Sequence, residues 1–134
     1  IKDYFKTIQG KFVAPTPIEA QFADNPYVEQ QCLVGLGMNK TIIVAVVSET
    51  MRDAPRDVIE TSVLETVEQL NAVVEKHARM GGVILTSEPW SIENGVLTPT
   101  LKIKRDQISD RFGEEASAMA VESAESKTLI IRWR

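Results

Sequence analysis

Apolar positions along the chain fall into two rhythms, and the switches between them sketch the elements. Residues 41–48, TIIVAVVS, form an unbroken β-branched run of the kind found in strands buried on both faces. From 57 to 80 the rhythm changes: Ile59, Val63, Val67, Leu70 and Val74 recur at helical spacing, with Glu and Arg between them, and Gly81-Gly82 reads as the stop. Upstream, two short β-like runs at 4–7 and 11–13 flank Gln9-Gly10, which signals a hairpin with glycine free to take positive φ. Thr16, Pro17 and Glu19 then suggest a capping box opening a short helix from 17 to about 24, with Ile18 and Phe22 on one face and Asn25-Pro26 as its end.

The remaining segments follow the same logic. YVEQQCLVGLGM (27–38) reads as a strand, and Gly37-Met38-Asn39-Lys40 as the turn into the β-branched run. GVILTS (82–87) is a short strand, and EPWSIENG a loop and turn. In NGVLTPTLKIKR, two-residue spacing predicts an extended segment with Thr98, Thr100, Lys102 and Lys104 on one side and Leu97, Leu101 and Ile103 on the other. Ile108 and Phe112 mark a short helix after Arg105, residues 113–127 are weakly periodic and read as either helical or loose, and TLIIRWR at 128–134 is a strand signal. Interleaved strands and helices predict an α+β domain: a small mixed sheet with an N-terminal β-hairpin and about three helices packed on it. The terminal strand is expected to join the domain's own sheet.

Composition narrows the function classes. At 134 residues the chain is sized for one domain, and its net charge of −4 argues against a nucleic-acid footprint. No run approaches the ~20 apolar residues that span a membrane. A single cysteine, Cys32, allows no internal disulfide and favours a reducing, cytoplasmic setting. The absence of an initiator Met and the charged opening IKDYFK suggest a piece of something longer.

Most candidate chemistry is thin. One histidine, His77, and one cysteine lack the spacing of a metal site, so His77 is expected to be a packed or half-exposed residue at the edge of the long helix. Ser87, Ser91 and Cys32 have no base pattern or G-x-S-x-G elbow around them. GLGMNKT lacks the spacing of a phosphate loop and precedes a strand, so it reads as a turn; Asn39-Lys40-Thr41 is a formal glycosylation sequon. Lys2, Lys6, Lys11, Lys102, Lys104 and Arg105 cluster in two places, and from the residues alone they read as solvated edges.

Resemblance changes that weighting. NGVLTPTLKIKR resembles the C-terminal lysine motif of the AMP-forming acyl-CoA synthetases, particularly their long-chain fatty-acid ligase branch. In matching order, IKDYFKTIQGKFVAPTPIE resembles that family's hinge and mobile hairpin, followed by a helix opening P-x-x-I-E, and GVILTSEPWSIENG resembles the strand and loop before the lysine motif. The resemblance covers roughly residues 1–112, which would make them the small mobile domain starting at the hinge, with 113–134 a C-terminal extension ending in a candidate strand. The family's large N-terminal domain is absent from this sequence.

The resemblance implies an enzyme that activates a fatty acid as acyl-AMP and transfers it to coenzyme A. ATP with Mg2+ and coenzyme A would serve the whole enzyme, with none bound to this domain alone. Motif counting puts the catalytic lysine at Lys104; Lys102 shares its predicted face, and geometry alone does not separate the two. Thr100, Lys102 and Lys6 would approach the nucleotide, Gln9, Gly10 and Lys11 would line the coenzyme A path, and Lys2 would be the hinge. The domain's own N-terminal partner, fatty acid, ATP and coenzyme A are the implied partners, without nucleic acid, and any peripheral membrane contact would run through the missing domain. The isolated domain is expected to be inactive. Two other readings stay open: an adenylating enzyme with a carrier-protein thiol as acceptor, and a noncatalytic α/β interaction module with a basic rim.

Overall fold

A computed structural model of the chain describes residues 4–134. Strand β4 (Thr41–Val47) lies at the heart of a four-stranded sheet, and each of its residues is buried. On one side it pairs antiparallel with β3 (Val28–Val34), and on the other parallel with β5 (Met80–Thr86). Strand β6 (Ile130–Trp133) completes the order β3-β4-β5-β6, parallel to β5, so the terminal segment does join the domain's own sheet. Two-residue alternation divides β4 between two cores. Ile43, Ala45 and Val47 pack with helices α1 (Pro15–Phe22) and α2 (Arg56–Asn71); Ile42, Val44 and Val46 pack with helix α3 (Arg105–Ser126) and with Trp90, Val96 and Leu97. The mixed sheet, three helices and separate hairpin form the α+β arrangement that the sequence predicts.

The hairpin pairs β1 (Phe5–Lys6) with β2 (Phe12–Val13) in antiparallel register, and Gly10 turns it at φ 79°. It is anchored from below. Phe5 and Val13 are buried in the α1/α2 core. The Ile8 amide donates to the Met38 carbonyl at 2.9 Å, and the Gly37 amide to the Lys6 carbonyl at 2.9 Å, which seats the hairpin on the β3–β4 turn. A side chain at Gly35 would meet the Phe5 ring at 2.6 Å, so the lack of a Cβ there permits the seating.

Three expectations need correction. Helix α1 begins at Pro15 rather than Pro17, its N-cap is Ala14, and no side chain caps it. The capping box does not form, because Glu19 is engaged elsewhere. Helix α2 ends at Asn71, well short of Met80. The Asn71 side chain explains the stop: its amide donates to the Met80 carbonyl at 2.9 Å and its oxygen accepts the Met80 amide at 2.8 Å, stitching the helix end to the start of β5. Val73, just past the helix end, is 73% exposed. His77 therefore sits in a separate turn of 3-10 helix, Lys76–Ala78, where its Nε2 lies 3.0 Å from the Phe12 carbonyl of the hairpin.

The third correction concerns Gly81-Gly82, which lie inside β5 rather than ending a helix. A Cβ on Gly82 would sit 2.1 Å from the Ile130 carbonyl oxygen, and one on Gly81 would sit 3.0 Å from the Ser123 side chain. These glycines let β6 and α3 approach the strand closely. The weakly periodic region after Phe112 is helical: α3 runs unbroken for 22 residues, burying Ile108, Phe112, Ala116, Met119, Ala120 and Ser123. It ends at Lys127, in the left-handed region at φ 58°, whose amide donates to the Ser123 carbonyl.

Candidate functional site

The lysine segment is a compact loop, and the extended alternation predicted for it is not what forms. Its entry is built by Asn94, whose side-chain oxygen accepts the Ser91 amide at 3.0 Å and the Val96 amide at 3.3 Å, while Gly95 turns at φ 84°. Val96 and Leu97 are then buried against α3 and β4. Leu97 and Ile103 form an isolated antiparallel bridge, and the chain between them reverses on itself. Thr98 closes that reversal three times. Its amide donates to the Lys102 carbonyl at 2.8 Å, its carbonyl accepts the Leu101 amide at 2.8 Å, and its hydroxyl accepts the Lys102 amide at 3.0 Å.

This geometry removes Leu101 from the apolar back. It takes φ 66° and is 66% exposed, because the tight turn around Pro99 requires a left-handed residue there. Strict alternation fails at the tip and survives only where Leu97 and Ile103 face each other. Thr98 and Thr100 remain neighbours, with hydroxyl oxygens 3.1 Å apart. Lys102 is exposed on the returning limb. Lys104 is exposed as the N-cap of α3, and its amide donates to the Val96 carbonyl at 2.7 Å. Among the described residues, no carboxylate forms an ion pair with either lysine. The positive end of α3 adds to the same electropositive corner, which suits an anionic ligand.

The hairpin residues gather elsewhere. Lys6 lies with its Nζ 5.2 Å from the centre of the Phe12 ring, and Gln9, Gly10 and Lys11 are exposed at the tip. Lys2 lies outside the described residues. The lysine loop is rooted through Val96 and Leu97 in the α3 core, the hairpin through Phe5 and Val13 in the α1/α2 core. The candidate residues thus form two surfaces rooted on opposite faces of the sheet, and the structure does not bring them into one cluster.

Sequence reasoning missed the contact that bridges those faces. Arg105, the first residue of α3, reaches around the outer edge of β3. Its Nη1 donates to Glu19 Oε2 at 2.6 Å and to the Leu33 carbonyl at 2.7 Å, and its Nη2 lies 3.3 Å from Glu19 Oε1. Glu19 Oε2 in turn accepts the Leu33 amide at 2.6 Å. The outward-facing amide and carbonyl of one edge-strand residue are therefore both satisfied by an ion pair of side chains 86 positions apart. Both residues stand inside the quoted motifs P-x-x-I-E and KIKR, but nothing local in the sequence pairs them.

Comparison with known proteins agrees with this architecture. The family model described as AMP-binding enzyme C-terminal domain matches residues 2–123. The chain is 32% identical to the peroxisomal long chain acyl-CoA synthetase 7 of Arabidopsis thaliana, across 96% of this chain and 21% of that protein. It is 29% identical to a chloroplastic long-chain-fatty-acid–[acyl-carrier-protein] ligase of the same plant, across 85% of this chain and 16% of the relative. The A-PCP didomain of carboxylic acid reductase from Segniliparus rugosus, solved in complex with AMP, superposes with a TM-score of 0.75 at 23% identity, over 92% of this chain and 18% of that one, and so shares the fold. The chain spans about a fifth or less of the length of these proteins. It belongs to the family of AMP-binding enzyme C-terminal domains.

Proposed function

We propose that this chain is the mobile C-terminal domain of an ATP-dependent fatty acyl-CoA ligase, supplying the adenylation lysine from one face and a thiol-step hairpin from the other. The observation that carries the reading is the division of the two candidate surfaces between opposite faces of the sheet. A single active site in a large partner domain can meet such surfaces only in turn, through rotation of the small domain. Lys2 is the hinge in this scheme.

The first half-reaction forms a bond between a carboxylate oxygen and the α-phosphorus of ATP and breaks the bond to pyrophosphate. Negative charge grows on the phosphoryl oxygens and on the departing pyrophosphate. Lys104 supplies a compact positive charge at the N-terminus of α3, and removing such a contact typically costs about 3–4 kcal/mol in the barrier. Thr100 and Lys102 contact the nucleotide in this step, and Lys6, on the hairpin, approaches it in the next. In the second half-reaction the thiol of coenzyme A attacks the acyl carbon: a carbon–sulfur bond forms, the bond to AMP breaks and the thiol proton is released. Gln9, Gly10 and Lys11 then flank the pantetheine arm, and at Gly10 a side chain would find open space, so the tip leaves room for a passing ligand.

The exposed, unneutralised lysines fit a polyphosphate. Among the described residues no three His, Cys, Asp or Glu side chains gather to hold a metal, so in this reading Mg2+ enters with the triphosphate in the partner domain. No helix among the described residues is long and apolar enough to cross a membrane, and a single, buried cysteine, Cys32, suits a reducing compartment such as the cytoplasm.

The test uses the full-length protein with the two half-reactions assayed separately. In Lys104→Ala, acyl-adenylate formation is expected to collapse while thioester formation from supplied acyl-adenylate persists. Survival of adenylation would shift the role to Lys102, tested by Lys102→Ala, and silence of both would overturn the reading. Offering free coenzyme A against a phosphopantetheinylated carrier in the second step decides the acceptor, and the expected preference is coenzyme A. The isolated chain is expected to show no turnover and no ATP binding by calorimetry; micromolar binding would contradict the division of labour.

A further inference from the structure

The geometry points to the Glu19–Arg105 ion pair as a positioning device for the lysine loop during adenylation, an inference that rests on the reading just given. Arg105 follows Lys104 directly and opens α3, so its anchorage fixes the junction from which the loop projects. The loop's own closure is local: Lys104 to Val96, Thr98 to Lys102, and the bridge between Leu97 and Ile103. None of these contacts sets the direction of the loop relative to the sheet edge. Arg105 does so, because its guanidinium is held at once by the Glu19 carboxylate and the Leu33 carbonyl. Glu19 is held in its turn by the Leu33 amide.

Stability alone is a weak account of this pair. The two side chains are 21% and 17% exposed, and desolvation of partly buried charges offsets much of their attraction. Directionality is what the arrangement supplies: a forked donor on a forked acceptor, both indexed to one rigid edge-strand residue. A lysine that must meet a developing charge depends on such indexing, since a displacement of ~1 Å at a reacting group can cost roughly 10²-fold in rate. Glu19 also lies on α1, the helix that follows β2, so the pair spans from the lysine loop to the element that carries the hairpin. Arg105 and Glu19 act through the lysines, and neither needs to touch the substrate.

The experiment compares Glu19→Gln, Arg105→Gln and Arg105→Lys in the full-length protein, beside Lys102→Ala and Lys104→Ala. Both Gln variants are expected to lower kcat for acyl-adenylate formation roughly 10²-fold, with ATP KM and thioester formation from supplied acyl-adenylate unchanged. Arg105→Lys is expected to recover most of that rate, because an ammonium can still bridge Glu19 and the Leu33 carbonyl. Equal loss in both half-reactions together with a lowered melting midpoint would reduce the pair to scaffold and overturn the proposal. So would Gln variants that adenylate normally while a lysine variant does not. If both lysine variants adenylate normally, the parent reading falls and the positioning role falls with it.

Discussion

Glycines in this chain do different work, and only their surroundings tell them apart. Gly82 has the Ile130 carbonyl where its Cβ would be, at 2.1 Å, and that obstacle is backbone that cannot rotate away. Gly82→Ala is therefore expected to push β6 off β5 and destabilise the domain by about 1–3 kcal/mol, the usual range for overpacking, read from urea unfolding midpoints. Gly113 lies within α3 with open space around it. Gly113→Ala is expected to stabilise by about 0.5–1 kcal/mol through helix propensity, in the same assay. The sequence pattern treats Gly81-Gly82 as a helix stop because a glycine pair punctuates in either role, and the deciding neighbour, β6, lies far along the chain. Glu19 is a parallel case: its spacing from Thr16 matches a cap, but the Leu33 amide and Arg105 claim it. Residue roles set by long-range partners are not legible locally.

At the scale of elements, legibility follows burial. Strand β4 is legible because both of its faces are apolar, and the hairpin because its turn needs Gly10. Helix α3 is partly hidden because its buried stripe is built after Phe112 from Ala116, Met119, Ala120 and Ser123, residues too small or polar to stand out. The end of α2 is hidden because a side chain, Asn71, terminates it by bonding to Met80 rather than by any backbone signal. Asn71→Ala leaves the Met80 amide and carbonyl without those partners, and a loss of about 1–3 kcal/mol is expected in thermal or urea unfolding. Truncation after Ser126 removes β6 and bares the long side of β5 together with the apolar surface that Leu129, Ile131 and Trp133 cover. The expected result is a broader, less cooperative melt by circular dichroism; an unchanged transition would show that β6 is an ornament on a finished sheet.

For the whole molecule, the sheet acts as a partition with one candidate surface rooted on each side. Because Lys102 and Lys104 are exposed and pair with no carboxylate among the described residues, replacing either by Ala is expected to move unfolding free energy by no more than about 0.5 kcal/mol. A lost half-reaction in such a variant would then report chemistry rather than folding. The lysine motif and the hairpin are legible in the sequence as two separate stretches; the arrangement that sets them on opposite faces is not, since it depends on the alternation of β4 between two cores. The saturation of Leu33 by Glu19 and Arg105 has a consequence of another kind. On the proposed reading the domain leaves its partner in every cycle and repeatedly bares its flanks to a crowded solution, where an open strand flank invites pairing with foreign chains. With the outward amide and carbonyl of Leu33 already taken, an incoming strand cannot run in register along β3 without first breaking an ion pair. On that reading the same two side chains guard the domain against aggregation while it is uncovered.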